Sequence, residues 1–305
     1  MPGAAKKFTI AGLGEAMWDL YEKEKHPGGT PANIVCHVQQ LGDRGVLISR
    51  VGHDELGEEL VRALQKRGLS TAFVQRDPRK STGQVHISLD SDGVPHYQGY
   101  KDVAFDHLTY PPGLDELAAQ VDAVVFGTLA QRADPTRQTI FRFLQTATQA
   151  LKVFDLGYAH VDPVELARIL PDSLAMADIV KMNVAEMNAL RQVLQRNADS
   201  APELMAFLIG QFSLKLVAVT LGAKGCELFS PYETCAFAGL PVRVVDTTGA
   251  GDAFTAGLIH KFLRGASLDE IGEFANLMGA YLCTKKGATP IFEVQSVLEF
   301  QNHQL

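Results

Sequence analysis

Residues 244–258 constrain this chain more than any other stretch. They read Val-Val-Asp-Thr-Thr-Gly-Ala-Gly-Asp-Ala-Phe-Thr-Ala-Gly-Leu. A β-branched run (Val242, Val244, Val245) stops at Asp246, and a turn rich in Thr and Gly follows. A helical pattern then sets Ala253, Gly257 and Lys261 on one face, with Phe254, Leu258 and Phe262 beside it. Gly249, Ala250 and Gly251 therefore sit where a loop becomes a helix. The unpaired N–H groups and positive dipole end of a helix start attract an anion. Glycine lets the backbone come close to that anion, because no Cβ intervenes. Asp252 stands next to the anion hole. A carboxylate beside such a hole suits phosphoryl transfer: it takes a proton from an attacking hydroxyl while the amides stabilise charge on the moving group. A plainer reading stands beside this one, since Asp is favoured in the first turn of any helix by the dipole.

Composition narrows the classes. The chain has 305 residues, enough for one large α/β domain with an appendage, and hydrophobic residues are 46% of it. Its net charge of −7 argues against general nucleic-acid binding. An anionic substrate must then be held by local features. Cys36, Cys226, Cys235 and Cys283 form no C-x-x-C pair and have no accompanying His cluster, so neither a zinc site nor a disulfide framework is expected. Free thiols fit a reducing cytosol. The apolar run after Lys7, Phe8 to Leu13, is too short for a signal peptide, and no stretch reaches membrane-span length. A cytoplasmic protein without membrane contact is expected.

Asp246-Thr247-Thr248-Gly249-Ala250-Gly251-Asp252-Ala253-Phe254 resembles the C-terminal signature of the ribokinase-like sugar kinases, a family that includes fructokinases and adenosine kinases. The match is long and contiguous. The resemblance implies Asp252 as general base and the amides of Gly249, Ala250 and Gly251 as the anion hole. It also implies an α/β fold, a three-layer sandwich around a largely parallel sheet with a small β lid. The whole of residues 1–305 would then be one kinase domain, with lid segments at approximately 15–30 and 82–105.

Taken in order, Phe8 to Gly14 reads as a buried first strand. It offers G-x-G, but Met17 stands where a dinucleotide fingerprint needs its third Gly and no helix pattern opens there, which excludes that motif. Glu15 to Asp19 resembles the end of strand one in fructokinases, where an Asp binds sugar hydroxyls; Asp19 is the candidate, against the plainer reading of a solvated strand-end acid. A carboxylate accepting two hydroxyl hydrogen bonds suits a polyol. Gly28-Gly29-Thr30-Pro31-Ala32-Asn33 then opens a helix, with Thr30 as cap and Pro31 at its first position. Gly28, Gly29 and Asn33 resemble the family's sugar-binding motif. Gly-rich turns of this kind also occur as ordinary helix caps, but the two signatures stand in the family's order.

Gly45 to Gly52 reads as a strand and Asp54 to Arg67 as an amphipathic helix; His53 reads as a loop residue. Thr82 to Asp90 alternates apolar and polar, Asp92-Gly93 turns, and Val94 to Tyr100 returns, a hairpin signal. In the family such strands form a small lid over the sugar, so His86, Tyr97, Tyr100 and Phe105 would face the sugar or the second subunit of a homodimer formed through the lid; more often such residues form the half-buried face of a sheet. Only eight residues, Leu20 to Pro27, separate Asp19 from Gly28, which implies a shortened lid. Val121 to Phe126 and Leu151 to Leu156 read as strands, with a helix between them capped by Asp134-Pro135. Fructokinases usually carry Asn and Arg shortly after the position of Asp155; here Gly157, Tyr158 and Ala159 follow, and Arg132 is the cation offered as a substitute.

Ala177 to Met182 leads into Asn183-Val184-Ala185-Glu186, which resembles the family's Asn-x-x-Glu motif for Mg²⁺ and the nucleotide phosphates. Alone it is also a helix capping box, and both roles can coexist. Thr220-Leu221-Gly222-Ala223-Lys224-Gly225 follows a strong strand and lacks Walker A spacing. It resembles the family's nucleotide loop, so Thr220, Gly222 and Gly225 would line the ATP site. Asn276, in the helix from Ser267 to Leu282, is placed like the residue beside adenine. The backbone carbonyls of Asp246, Thr248, Lys285 and Gly287 would take a monovalent cation such as K⁺, although Ile291 stands where some relatives offer a hydroxyl. The resemblance thus implies transfer of the γ-phosphoryl of MgATP to a primary hydroxyl of a sugar, fructose first. A nucleoside kinase and a non-catalytic sugar-binding protein of the same fold are the alternatives.

Overall fold

Five consecutive buried residues, Ala-Val-Val-Phe-Gly at 123–127, are typical of how this chain builds its centre. Runs that are apolar on both faces need cover on both faces, which is the condition of a parallel sheet between two helical layers. The structure, a computed structural model, describes residues 6–22, 24–89, 95–99, 101–157 and 162–302. Its strands are β1 (Thr9–Leu13), β2 (Met17–Leu20), β3 (Lys25–Gly28), β4 (Arg44–Gly52), β5 (Val74–Asp77), β6 (Gly83–Leu89), β7 (Pro95–Gly99), β8 (Ala123–Gly127), β9 (Leu151–Asp155), β10 (Ile179–Asn183), β11 (Leu216–Thr220), β12 (Gly225–Phe229) and β13 (Thr234–Ala238). The helices are α1 (Thr30–Gln40), α2 (Glu55–Gln65), α3 (Leu114–Ala118), α4 (Asp134–Thr146), α5 (Pro163–Met176), α6 (Val184–Val193), α7 (Ala201–Phe212), α8 (Ala250–Phe262), α9 (Leu268–Cys283) and α10 (Val294–Asn302).

The large sheet has the order β13-β12-β11-β10-β9-β8-β1-β4-β5. From β5 to β11 neighbouring strands are parallel, and β12 and β13 close the far edge antiparallel. Side chains alternate between two cores as a strand must. Val124 and Phe126 of β8 face a cluster with Phe143 of α4, Leu170 of α5 and Leu208 of α7. Ala123 and Val125 face the opposite cluster, with Ile34 of α1, Leu60 of α2 and Leu258 of α8. The order reverses direction at β1 and β8, and such a switch point leaves a crevice at the strands' carboxyl ends.

A second, four-stranded sheet stands over that crevice, in the order β3-β2-β6-β7. β6 and β7 form the expected hairpin, whose turn at 90–94 lies outside the described residues, as does Tyr100. Its other half came from non-local pairing: β2 runs parallel to β6, Met17 opposite Gly83. No helix among the described residues is long and apolar enough to cross a membrane.

Two caps differ from expectation. Gly29, with φ of 106°, is the N-cap of α1, so Thr30 lies inside the helix and its amide donates to Glu15 Oε1 at 3.2 Å. Ala133 precedes α4 without a side-chain bond, and Asp134 instead pairs with Arg168. The run Val242 to Val245 is in neither sheet, and Val244 and Val245 are exposed.

Candidate active site

The first turn of α8 is fixed before any ligand enters. Gly249, with φ of 79°, is its N-cap, and a Cβ there would lie 2.7–2.9 Å from atoms of Ala288, so only glycine fits. The segment around Ala288 is itself pinned. Asp246 accepts from the amides of Thr248 and Gly287, both at 2.9 Å, and His37 Nε2 donates to the Ala288 carbonyl at 3.0 Å. Burial pushes the His37 imidazole down to about 4, so it is neutral in that role. The Ala250 amide donates to Thr247 O at 3.2 Å and closes the turn. An anion at this turn would compete with that bond for the Ala250 amide. The amides of Gly249 and Gly251 have no acceptor among the described residues and stay available.

Two cavities meet at this turn. The smaller, about 180 Å³, lies at the carboxyl ends of β1, β8 and β9 under the small sheet. Glu15, Asp19, Asn33, Asp155, Glu186 and Asp252 line it, with Gly29, Thr248 and Gly249. No Lys, Arg, His or aromatic ring is among its described lining residues. The larger, about 580 Å³, is lined by Asn183, Thr220, Gly222, Gly225, Ala250, Gly251 and Asn276, with the apolar Leu240, Val242, Val244 and Phe254. Asp19, Gly29 and Asn33 thus border the small cavity and Asn183, Thr220, Gly222, Gly225 and Asn276 the large one, while Glu186 borders the small one and Gly28, Asp246, Lys285 and Gly287 line neither. Asn276 spends one hydrogen bond on Ala238 O at 2.8 Å, which leaves its carbonyl oxygen to the cavity.

Carboxylates govern the small cavity. Asp252 is buried and its Oδ2 accepts from Asn33 Nδ2 at 2.7 Å. Burial and the neighbouring Asp155 raise its pKa to about 7, against the pull of Asn33 and Lys181. Asp19 rises to about 7 through burial and the Asp246 carboxylate. Gly28 is required beside it, since a Cβ there would lie 2.3 Å from Asp19 Oδ2. Glu15, absent from the sequence-selected set, also rises to about 7 through burial, and its Oε2 is buried without a partner. The phrase Gly14-Glu15 was visible in the sequence, but only as the tail of strand one.

Asn183 and Glu186 form a complete capping box: the Asn183 amide donates to Glu186 Oε2 at 2.7 Å and the Glu186 amide to Asn183 Oδ1 at 2.9 Å. Asn183 borders the large cavity and Glu186 the small one, so the motif spans the boundary. One Glu186 oxygen remains free of that box. No group of three or more His, Cys, Asp or Glu among the described residues is arranged to hold a metal directly. That donor set fits Mg²⁺ carried by nucleotide phosphates and water, with Glu186 at its edge.

Arg132 is not among the residues lining the small cavity, but its charge favours the carboxylate of Glu15, which is. The Arg132 guanidinium forks onto Asp106, Nε to Oδ1 and Nη2 to Oδ2, both at 2.8 Å. The Asp155 connection continues through Gly157 into residues 158–161, which lie outside the described ones and include Tyr158 and Ala159. Tyr21 of the β2–β3 turn touches Thr248 hydroxyl to hydroxyl at 3.0 Å, and Glu24 pairs with Lys286. The small sheet therefore rests on the two segments, around Asp246 and Gly287, that carry the candidate cation carbonyls.

Known proteins match this architecture. A family model described as pfkB family carbohydrate kinase matches residues 10–294. The putative sugar kinase PH1459 of Pyrococcus horikoshii is 32% identical over 297 residues, covering 92% of this chain and 91% of its own. Its crystal structure superposes with a TM-score of 0.82 over 95% of this chain and 97% of that one. It has also been solved in complex with ATP, at a TM-score of 0.78. Fructokinase-1 of Oryza sativa is 31% identical over 295 residues, 92% of this chain and 89% of its own. A putative ribokinase II from E. coli, in complex with ATP and Mg²⁺, shares 21% identity at a TM-score of 0.84, covering 98% of this chain and all of that one. The last is a likeness of fold, and it makes the α/β architecture ribokinase-like.

Proposed function

The chain belongs to the pfkB family of carbohydrate kinases, and from that premise we propose that it phosphorylates a primary hydroxyl of a neutral, unphosphorylated sugar, fructose first. The observation that carries this is the small cavity lined by five carboxyl groups, Glu15, Asp19, Asp155, Glu186 and Asp252, and by no cationic side chain among the described residues. Carboxylates accept hydrogen bonds from sugar hydroxyls and repel sugar acids and sugar phosphates. The absence of aromatic rings among the same residues disfavours a nucleoside, which would stack its base.

ATP would occupy the large cavity, its adenine among Leu240, Val242, Val244 and Phe254 and near Asn276. Its phosphates would lie toward Gly249 and Gly251, whose free amides and the dipole of α8 stabilise negative charge on the transferred group. Mg²⁺, when bound, would offset phosphate charge, with Glu186 and Asn183 orienting its waters. Asp19, Gly29 and Asn33 would orient the sugar. Asp252, held by Asn33 through Oδ2, keeps Oδ1 to accept the proton of the attacking hydroxyl. A group titrating at about 7 is well placed for that task near neutral pH. The carbonyls around Asp246 and Gly287 would take K⁺.

The test is ADP release with MgATP against ketoses, aldoses, pentoses and nucleosides, with Asp252→Asn beside the wild type. Turnover with a neutral sugar, reduced about a hundredfold or more in the variant, is expected. Near-normal turnover of Asp252→Asn removes the base from its role, and a preference for nucleosides removes the sugar.

A further inference from the structure

Lys181 is a lysine inside a parallel sheet, with 7% of its side chain exposed. A buried ammonium is costly unless well paired. Its partner is Asp155, the residue opposite it in the register of β9 and β10, with Nζ 3.1 Å from Oδ1. The other Asp155 oxygen accepts from Thr255 Oγ1 at 2.7 Å. The same hydroxyl lies 3.0 Å from the Gly251 carbonyl, so its one proton is shared between them. A Cβ at residue 251 would sit 2.8 Å from Lys181 Nζ. The ammonium thus occupies the space that any side chain at 251 would need. β9, β10 and the first turn of α8 are tied together at the point where the two cavities join.

We propose that Lys181 is a positioning residue for phosphoryl transfer: through Asp155 and Thr255 its ammonium holds the first turn of α8, so that the Gly251 amide and the Asp252 carboxylate keep their relative places. This rests on the reading of Asp252 as the base. The charge distribution agrees with it. Burial disfavours the ammonium, but Asp155, Glu186 and Asp252 outweigh burial and hold it protonated. In return Lys181 faces Asp252 from β10, together with Asp155 from β9, Glu15 from the β1–β2 connection and the Asn33 amide from α1. Of these, burial, Asp155 and Glu15 favour the neutral acid, and Asn33 and Lys181 favour the carboxylate. A merely structural ion pair would affect melting alone.

The experiment measures kcat, sugar KM and the pH dependence of kcat for the wild type, Lys181→Met, Lys181→Gln and Thr255→Val, with melting temperature as the check on folding. In Lys181→Met, kcat should fall about tenfold or more with sugar KM within about threefold, and the acid limb should move up by about one pH unit. Lys181→Gln keeps a donor for Asp155 without the charge, serves where the methionine variant fails to fold, and should behave alike. Thr255→Val leaves all charges in place and should lower kcat about threefold with the limb unmoved. Folded lysine variants with kcat within about twofold of wild type and an unshifted limb overturn the proposal, as does Thr255→Val with unchanged kcat. A wild type silent on every sugar overturns the acceptor reading and this inference with it; an active wild type with indifferent variants overturns this inference alone.

Discussion

The cavity of about 180 Å³ beside Asp252 and the cavity of about 580 Å³ beside Ala250 share one wall, yet they are made of opposite materials. The turn from Thr247 to Asp252 alternates between them: Thr248, Gly249 and Asp252 face the small one, Thr247, Ala250 and Gly251 the large one. The small cavity is acidic, and its carboxyls at positions 15, 19 and 252 all titrate near 7 because burial disfavours their charge. The large one is lined by several glycines and by the apolar Leu240, Val242, Val244 and Phe254. The contrast teaches how one loop serves two ligands. A neutral polyol is recognised by oriented acceptors, and a polyanion by free amides and a helix dipole, with the net charge of the chain in neither case the instrument.

This contrast can be broken from the shared wall outward. Gly249→Ala forces a side chain into the Ala288 backbone at a φ of 79°, so kcat should fall on the order of a hundredfold, the scale of a lost anion-hole donor. Asp19→Asn attacks the small cavity only: sugar KM should rise about 10–100-fold, as for a lost hydrogen bond to a charged group, with the KM for ATP unchanged. An equal rise in both would mean that the cavities are not separate. Acidification should act on the small cavity first. As pH falls from 8 to 5.5 the three carboxyls gain protons around 7, and kcat/KM for the sugar should drop about tenfold or more while ADP affinity holds.

The smallest effect concerns stability. Asp252 has a folded pKa of about 7, above the 3.8 usual for Asp, so the folded state holds the extra proton between those values. Its contribution is favourable at low pH and is lost as pH rises through 7. Asp252→Asn should therefore melt about 2–5 °C above the wild type at pH 8, with the difference vanishing toward pH 4.

Legibility in the sequence followed the same division. The loop from Asp246 to Asp252 and the Asn183–Glu186 box are contiguous, and local rules for helix starts read them directly. Asp19, Gly28, Gly29 and Asn33 fall together as expected from their motifs, but the reason for Gly28, the Asp19 carboxylate across the β2–β3 pair, is a tertiary fact. Thr30 looked like a cap because it precedes Pro31; the buried Glu15 claimed its amide instead. Glu15 and Lys181 carried no local signal of their role. Lys181 is one polar residue in an apolar strand, and only the register of β9 and β10 sets it opposite Asp155. The parallel pairing of β2 with β6 is likewise beyond any local pattern, since their residues are more than sixty positions apart.

The most direct test of the acidic acceptor site is the ratio of kcat/KM for fructose to that for fructose 6-phosphate, measured with saturating MgATP. Turnover of fructose with at least about a hundredfold lower kcat/KM for its phosphate is predicted, since five carboxyls surround the acceptor and no Lys, Arg or His is among its described lining residues. Equal or better use of fructose 6-phosphate would contradict the account of the small cavity.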